Sequence, residues 1–249
     1  MMLEGKKAVV TGGSRGIGME IVKLFLQEGA SVTFMDLMES EYMGQYEALA
    51  KERGTSVVYK KTNVASEEEV NSVTKEILDE GNVDILVNNA GIALLESVVN
   101  LQPEHWDAVL NVNLRAPALI SKVIANHMIA NGKGAIVNVS SAAGVTALKE
   151  HAAYCASKYG LIGLSQVMAV ELGPHNIRVN VVAPTVVMTE MGIQVWSDPA
   201  KSEPMLAKIP LNRFAEPINI ADAVMFLASE EASMINGVVL CVDGGYTAQ

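Results

Sequence analysis

Short runs of consecutive apolar residues alternate along this chain with longer stretches in which apolar positions recur every three or four residues. The runs at 8–11, 31–35, 56–60, 83–87, 135–139, 178–182 and 237–242 are rich in Val and Ile and predict seven strands. The longer patterns predict helices over 16–28, 41–53, 67–80, 103–131, 152–173 and 218–229. Strict alternation of this kind builds βαβ units, and hence an α/β fold with a parallel sheet covered by helices on both faces. The strands are almost continuously apolar, which fits a sheet buried on both sides. No repeat, low-complexity segment or linker interrupts the pattern, so residues 1–249 read as a single domain. The exception is 185–214, rich in Met and Pro, which is too long for an ordinary connection and predicts a lid or binding loop. Its Trp196, Met205, Leu206 and Ile209 need apolar partners, which argues against a disordered insertion.

Composition narrows the function classes. The chain is 50% hydrophobic and 18% charged over 249 residues, enough for one large core. A formal net charge of -10 argues against nucleic acid or an anionic membrane as the main partner. The two cysteines, Cys155 and Cys241, form neither a disulfide framework nor a metal-ligand spacing, and no metal is expected; a reducing cytoplasm suits them. The first residues lack the apolar core and cleavage site of a signal peptide, and no apolar stretch is expected to reach the roughly 18 residues of a membrane span.

The first strand-to-helix turn reads Thr11-Gly12-Gly13-Ser14-Arg15-Gly16-Ile17-Gly18. Glycines there let the backbone approach a pyrophosphate, whose charge is met by the helix N-terminus. The second strand ends in Asp36, 18 residues after Gly18, close to the place of a carboxylate that holds adenosine ribose hydroxyls. Together these predict a Rossmann-type, doubly wound nucleotide-binding sheet. Asp36 would repel a 2′-phosphate, and the following Leu37-Met38-Glu39-Ser40 offers no cation to receive one, so NAD is expected in preference to NADP. Arg15 is the counter-argument, and it is expected to be paired or solvated.

Chemistry gathers further on. Tyr154 and Lys158 are four residues apart, hence one turn apart on the same helix face. Ser141 sits at the end of the preceding strand. A phenol titrates near ~10, too high for a neutral-pH base, and a cation held beside it would lower that value. These are the parts of a proton-transfer site for an alcohol or a carbonyl.

With Asn88-Asn89-Ala90-Gly91, Asn113 and Asn180-Val181-Val182-Ala183-Pro184, these motifs resemble the short-chain dehydrogenase/reductase family over essentially the whole chain. The resemblance implies a nicotinamide cofactor and a catalytic tetrad of Asn113, Ser141, Tyr154 and Lys158. Ser141 rather than Ser140 has the family's offset to the tyrosine. The resemblance also implies cofactor contacts from Gly12, Ser14, Arg15, Gly16, Ile17, Gly18 and Asp36, from Asn89, Ala90 and Gly91, and from Tyr154 and Lys158. Pro184, Val187 and Thr189 fit the nicotinamide end. Asn63-Val64 stands where the family often has Asp-Val near the adenine. Pro117 cannot donate to the carbonyl of Asn113, four residues back, and is expected to leave it free for a water.

The lid segment and the residues before Tyr154 resemble the dicarbonyl/L-xylulose reductase and polyol dehydrogenase branch. That resemblance makes Ser141, His151, Tyr154 and Trp196 the expected substrate residues, and a sugar alcohol/ketose or vicinal diol/dicarbonyl the expected substrate. Alternatives are a 3-oxoacyl-[acyl-carrier-protein] reductase and a non-catalytic nicotinamide-binding sensor. Leu161, Ile162, Leu164, Val167, Met168 and Val170 spread round the 152–173 helix, and Ala156, Gly160 and Gly163 would admit a neighbouring helix. With the family resemblance, this implies a homotetramer.

Overall fold

Seven strands form, each within two residues of its expected bounds: β1 (Lys7–Thr11), β2 (Ser31–Asp36), β3 (Val57–Lys61), β4 (Ile85–Asn88), β5 (Gly134–Val139), β6 (Ile177–Pro184) and β7 (Val239–Val242). The computed structural model describes residues 1–248, apart from the Met191 side chain. All strand pairs are parallel, in the order β3-β2-β1-β4-β5-β6-β7. The chain runs outward from β1 to β3, then returns to β4 on the other side of β1. The crevice for a ligand therefore opens above the carboxyl ends of β1 and β4.

Successive residues of a strand point to opposite faces, and here each face meets its own helical layer. Val10, Phe34, Val87, Val137 and Val182 pack with Ile21 and Phe25 of α1 (Gly16–Gln27), Tyr46 of α2 (Met43–Arg53) and Val224 of α9 (Pro217–Ala228). Val9, Met35, Leu86, Ile136 and Val179 pack with Val70 of α3 (Glu67–Asp79), Ile124 of α5 (Ala116–Asn131) and Met168 of α6 (Ala152–Leu172). Hence the strands read as continuous apolar runs. Burying one such Ile or Phe side chain contributes about 1.5–3 kcal/mol.

The expected 103–131 helix is not uniform. It consists of α4 (Pro103–Leu110), a π-helical turn (Asn111–Arg115) and α5. In that turn the Ala116 N–H reaches the Asn111 carbonyl, and Pro117 has no N–H to continue the ladder. Its length and composition also correct one expectation: Pro103–Asn131 is long and apolar enough to cross a membrane by those criteria alone. Here it is a core helix, with Ile120, Ile124 and Met128 packed on the sheet.

The 185–214 segment folds into α7 (Glu190–Trp196) and α8 (Pro199–Leu206). Thr189 and Asp198 cap them, their side chains accepting from the Gly192 and Ala200 amides. At its root, Met188 N–H donates to the Ala215 carbonyl and Ala215 N–H to that of Val186. Ile209 is fully buried, whereas Trp196, Met205 and Leu206 are half-buried.

Candidate active site

The glycine turn forms one wall of a groove of about 410 Å³ above β1 and β4. Two glycines are dictated by space. A Cβ on Gly18 would collide with the Gly12 carbonyl, and Gly12 itself has φ +71° with Ala90 and Asn89 3.0 Å from where its Cβ would stand. Thr11, which follows from the same motif but was not among the expected site residues, ties this turn to the next. Its Oγ1 accepts from the Asn89 and Ala90 amides, both at 3.0 Å, and the Asn89 side chain donates back to the Thr11 and Gly12 carbonyls.

Of the expected cofactor residues, Gly12, Arg15, Gly16, Ile17 and Gly18 line the groove from β1 and α1, and Asp36 does so from β2. Asn63 and Val64 line it beyond β3, as do Asn89, Ala90 and Gly91 beyond β4 and Thr189 from the lid. Asp36 Oδ2 accepts from the Ser14 amide (3.0 Å) and Oδ1 from that of Leu37 (2.7 Å), so the carboxylate is fixed against the glycine turn. Ser14 is buried and braces the turn through a hydrogen bond from its hydroxyl to the Met38 carbonyl; it is not among the lining residues. Arg15 is exposed and makes no ion pair among the described residues. Asn63 Oδ1 is taken by the Ala65 amide (3.1 Å), which leaves its NH₂ as the available donor. Pro184 is buried at the end of β6, and Val187 sits in the bridge to Ala215.

The proton-transfer residues meet beside Gly91, where Lys158 Nζ lies 3.5 Å from the place of a Cβ, and they are not among the residues that line the groove. Lys158 is 4% exposed and donates from Nζ to the Val139 carbonyl (2.9 Å). Burial without a carboxylate pushes its pKa down to about 8. Nζ lies 5.6 Å from the centroid of the Tyr154 ring, over its face. Burial pushes the Tyr154 phenol up; Ser141 opposes this, and the Cys155 thiol adds to it. In this structure burial is the largest influence on the phenol, and Nζ is directed at the ring face and the Val139 carbonyl. Ser141 caps a short 3₁₀ turn, its Oγ accepting from the Ala143 amide, whereas Ser140 is turned inward to the Lys158 carbonyl.

Asn113 is fully buried in the π-helical turn. Its Oδ1 accepts from the Ile92 amide (2.9 Å), and its Nδ2 donates to the Ile92 carbonyl (2.8 Å) and the Ser157 hydroxyl (3.1 Å). Ser157 in turn donates to the Tyr154 carbonyl (2.7 Å). This clamp joins the loop after β4 to α6, and nothing in the spacing of Ser157 announces it.

His151 lies beside Tyr154, ring centroids 6.1 Å apart, with Nδ1 2.6 Å from the Lys149 carbonyl. Trp196, at the end of α7, meets the Phe214 ring at 5.6 Å with the planes tilted by 55°. Among the described residues, no group of three or more His, Cys, Asp or Glu is placed to hold a metal.

A family model described as enoyl-(acyl carrier protein) reductase matches residues 12–247. The L-xylulose reductase of Bos taurus is 43% identical, with 100% of this chain and 99% of that protein covered. The D-threitol dehydrogenase of Mycolicibacterium smegmatis is 41% identical, over 98% and 94%. The NAD-dependent glycerol dehydrogenase of Listeria innocua is 40% identical, over 97% and 94%. A solved structure from Beutenbergia cavernae with NADP bound at low occupancy is 33% identical and superposes with a TM-score of 0.93, over 99% and 98%.

Proposed function

The chain belongs to the short-chain dehydrogenase/reductase family, and from that premise we propose that it interconverts sugar alcohols and ketoses, or vicinal diols and dicarbonyls, with NAD. The observation that carries the reading is the set of groups around one point, Tyr154 flanked by Ser141, Lys158 and His151, with Lys158 beside Gly91 of the glycine-walled groove. The two dictated glycines and the fixed Asp36 fit a dinucleotide there.

Nicotinamide, when bound, supplies the hydride exchange. The protein's part is orientation and proton traffic. Tyr154 removes the hydroxyl proton during oxidation and returns one to the carbonyl oxygen during reduction. Ser141 hydrogen-bonds that oxygen and stabilises the charge developing on it. Lys158 places a cation under the phenol ring. Asn113 positions the loop after β4 against α6 and does so through Ile92 and Ser157. In His151, Nδ1 faces a carbonyl and so carries a proton, which leaves Nε2 to meet a further substrate hydroxyl. That donor–acceptor pairing favours polyhydroxylated substrates. Residues 185–214 form the lid over them.

Asp36 supports NAD, since its carboxylate suits two ribose hydroxyls and repels a 2′-phosphate. One relative is named as NAD-dependent and one solved structure carries NADP, so both cofactors belong in the test. The exposed Tyr159, Val167 and Val170 on α6, with open space at Gly163, support a homotetramer; Gly160 is already filled by Leu114 of the same chain. Free Cys155 and Cys241 suit the cytoplasm.

The experiment is the initial rate of nicotinamide reduction across glycerol, tetritols, pentitols and butane-2,3-diol, each with NAD and with NADP, alongside oxidation of the reduced cofactor by an acetoacetyl thioester. Turnover of a polyol with NAD is the expected result. Turnover of the thioester alone would replace this reading by 3-oxoacyl-thioester reduction.

A further inference from the structure

The lid's first helix does more than cover the groove. Glu190, its first residue, lines the groove and also accepts a hydrogen bond from the Tyr42 hydroxyl (3.3 Å). Tyr42 immediately precedes α2, on the connection that begins at Asp36. Lys23 of α1 lies 4.7 Å over its ring centroid, so the aromatic plane is held from the other side. The nearby carboxylates of Glu41 and Glu190 push the Tyr42 phenol up, which keeps it a donor at neutral pH. A second contact crosses at the same level. The Thr189 side chain lies 3.2 Å from where a Cβ on Gly16 would stand. Behind these, Gly192 presses so closely on the Val187 carbonyl that no side chain fits, which makes the root and first turn of α7 one tight unit.

Resting on the coenzyme reading above, we propose that Tyr42 and Glu190 form a latch across the dinucleotide groove, which opens for the coenzyme to leave and so sets its residence time. A pyrophosphate on the glycine turn would sit in the groove that Gly12 and Gly16 line from one side and Thr189 and Glu190 from the other, so the lid would have to lift for release. Lifting it separates Glu190 from Tyr42. Tyr42 and Glu190 act through the lid and not on the reacting atoms, so both are positioning residues, and lid opening is a common rate-limiting step in enzymes that close over a coenzyme.

The test is stopped-flow displacement of NADH from the unaltered protein and from Tyr42→Phe, Glu190→Ala, Glu190→Gln and the Tyr42→Phe/Glu190→Ala double variant. Loss of one exposed hydrogen bond is expected to speed release about threefold to tenfold in Tyr42→Phe and in Glu190→Ala. Glu190→Gln, which keeps an acceptor oxygen and loses the charge, is expected to release at close to the original rate. The double variant is expected to be no faster than either single one, since both break the same contact. Unchanged release in both single variants, multiplicative acceleration in the double, or Glu190→Gln as fast as Glu190→Ala would overturn the latch. Failure of the unaltered protein to bind NADH or NADPH at all would overturn the coenzyme reading, and the latch with it.

Discussion

Lys158 shows what the site costs the fold. Its ammonium is buried with one carbonyl partner, and its pKa falls from 10.5 to about 8. Between those values the unfolded chain binds more protons than the folded one, so this group's contribution makes stability rise with pH from about 8 to about 10.5. Below pH 8 the full penalty applies, about 3 kcal/mol as an order of magnitude. Lys158→Met is therefore expected to melt about 6–12 °C higher than the original protein at pH 7, with the gap closing towards pH 10, while turnover is lost. A variant less stable at pH 7, with a gap indifferent to pH, would contradict this. The pairing of Tyr154 with Lys158 was legible from a four-residue spacing, because helix geometry alone puts them on one face. The direction of the Tyr154 shift was not, because it depends on where Nζ points and how deeply the phenol is buried. Ser157 was illegible for a related reason, since a serine inside a helix carries no sign of the asparagine it will meet.

At the scale of elements, the strands were legible because both faces of the sheet are buried. Val9 and Val10 serve opposite layers, and both must be apolar. The helices of the lid were not. Gly192, Pro199 and Pro204 punctuate a segment without helical periodicity, and the caps at Thr189 and Asp198 emerge only in the structure. The π-helical turn around Asn113 was half legible: Pro117 announced a disturbance, but not its form. The glycine turn was the most legible of all, because its residues are fixed by contact rather than by propensity. Gly18→Ala puts a methyl into the Gly12 carbonyl, so the turn must open. Coenzyme affinity is expected to fall more than about tenfold, and stability by about 1–3 kcal/mol. Unchanged affinity in a calorimetric titration would contradict the close crossing seen here.

For the whole molecule, apolar surface left outside the core points to assembly. Val167 and Val170 are 53% and 77% exposed on the helix that carries Tyr154, so a partner helix there would also brace the site. Light scattering is expected to give about four times the 26.5 kDa chain mass, and Val170→Asp to lower it; a variant of undiminished mass would exclude that face. The central claim, that Tyr154 carries the proton in a polyol–ketose exchange, is tested most directly by Tyr154→Phe. NADH binding by fluorescence and NAD-linked polyol oxidation should be measured on the same preparation. The account predicts binding within about twofold of the original and oxidation reduced at least about a hundredfold. Oxidation persisting at the original rate would contradict it and leave a nicotinamide-binding protein whose chemistry lies elsewhere.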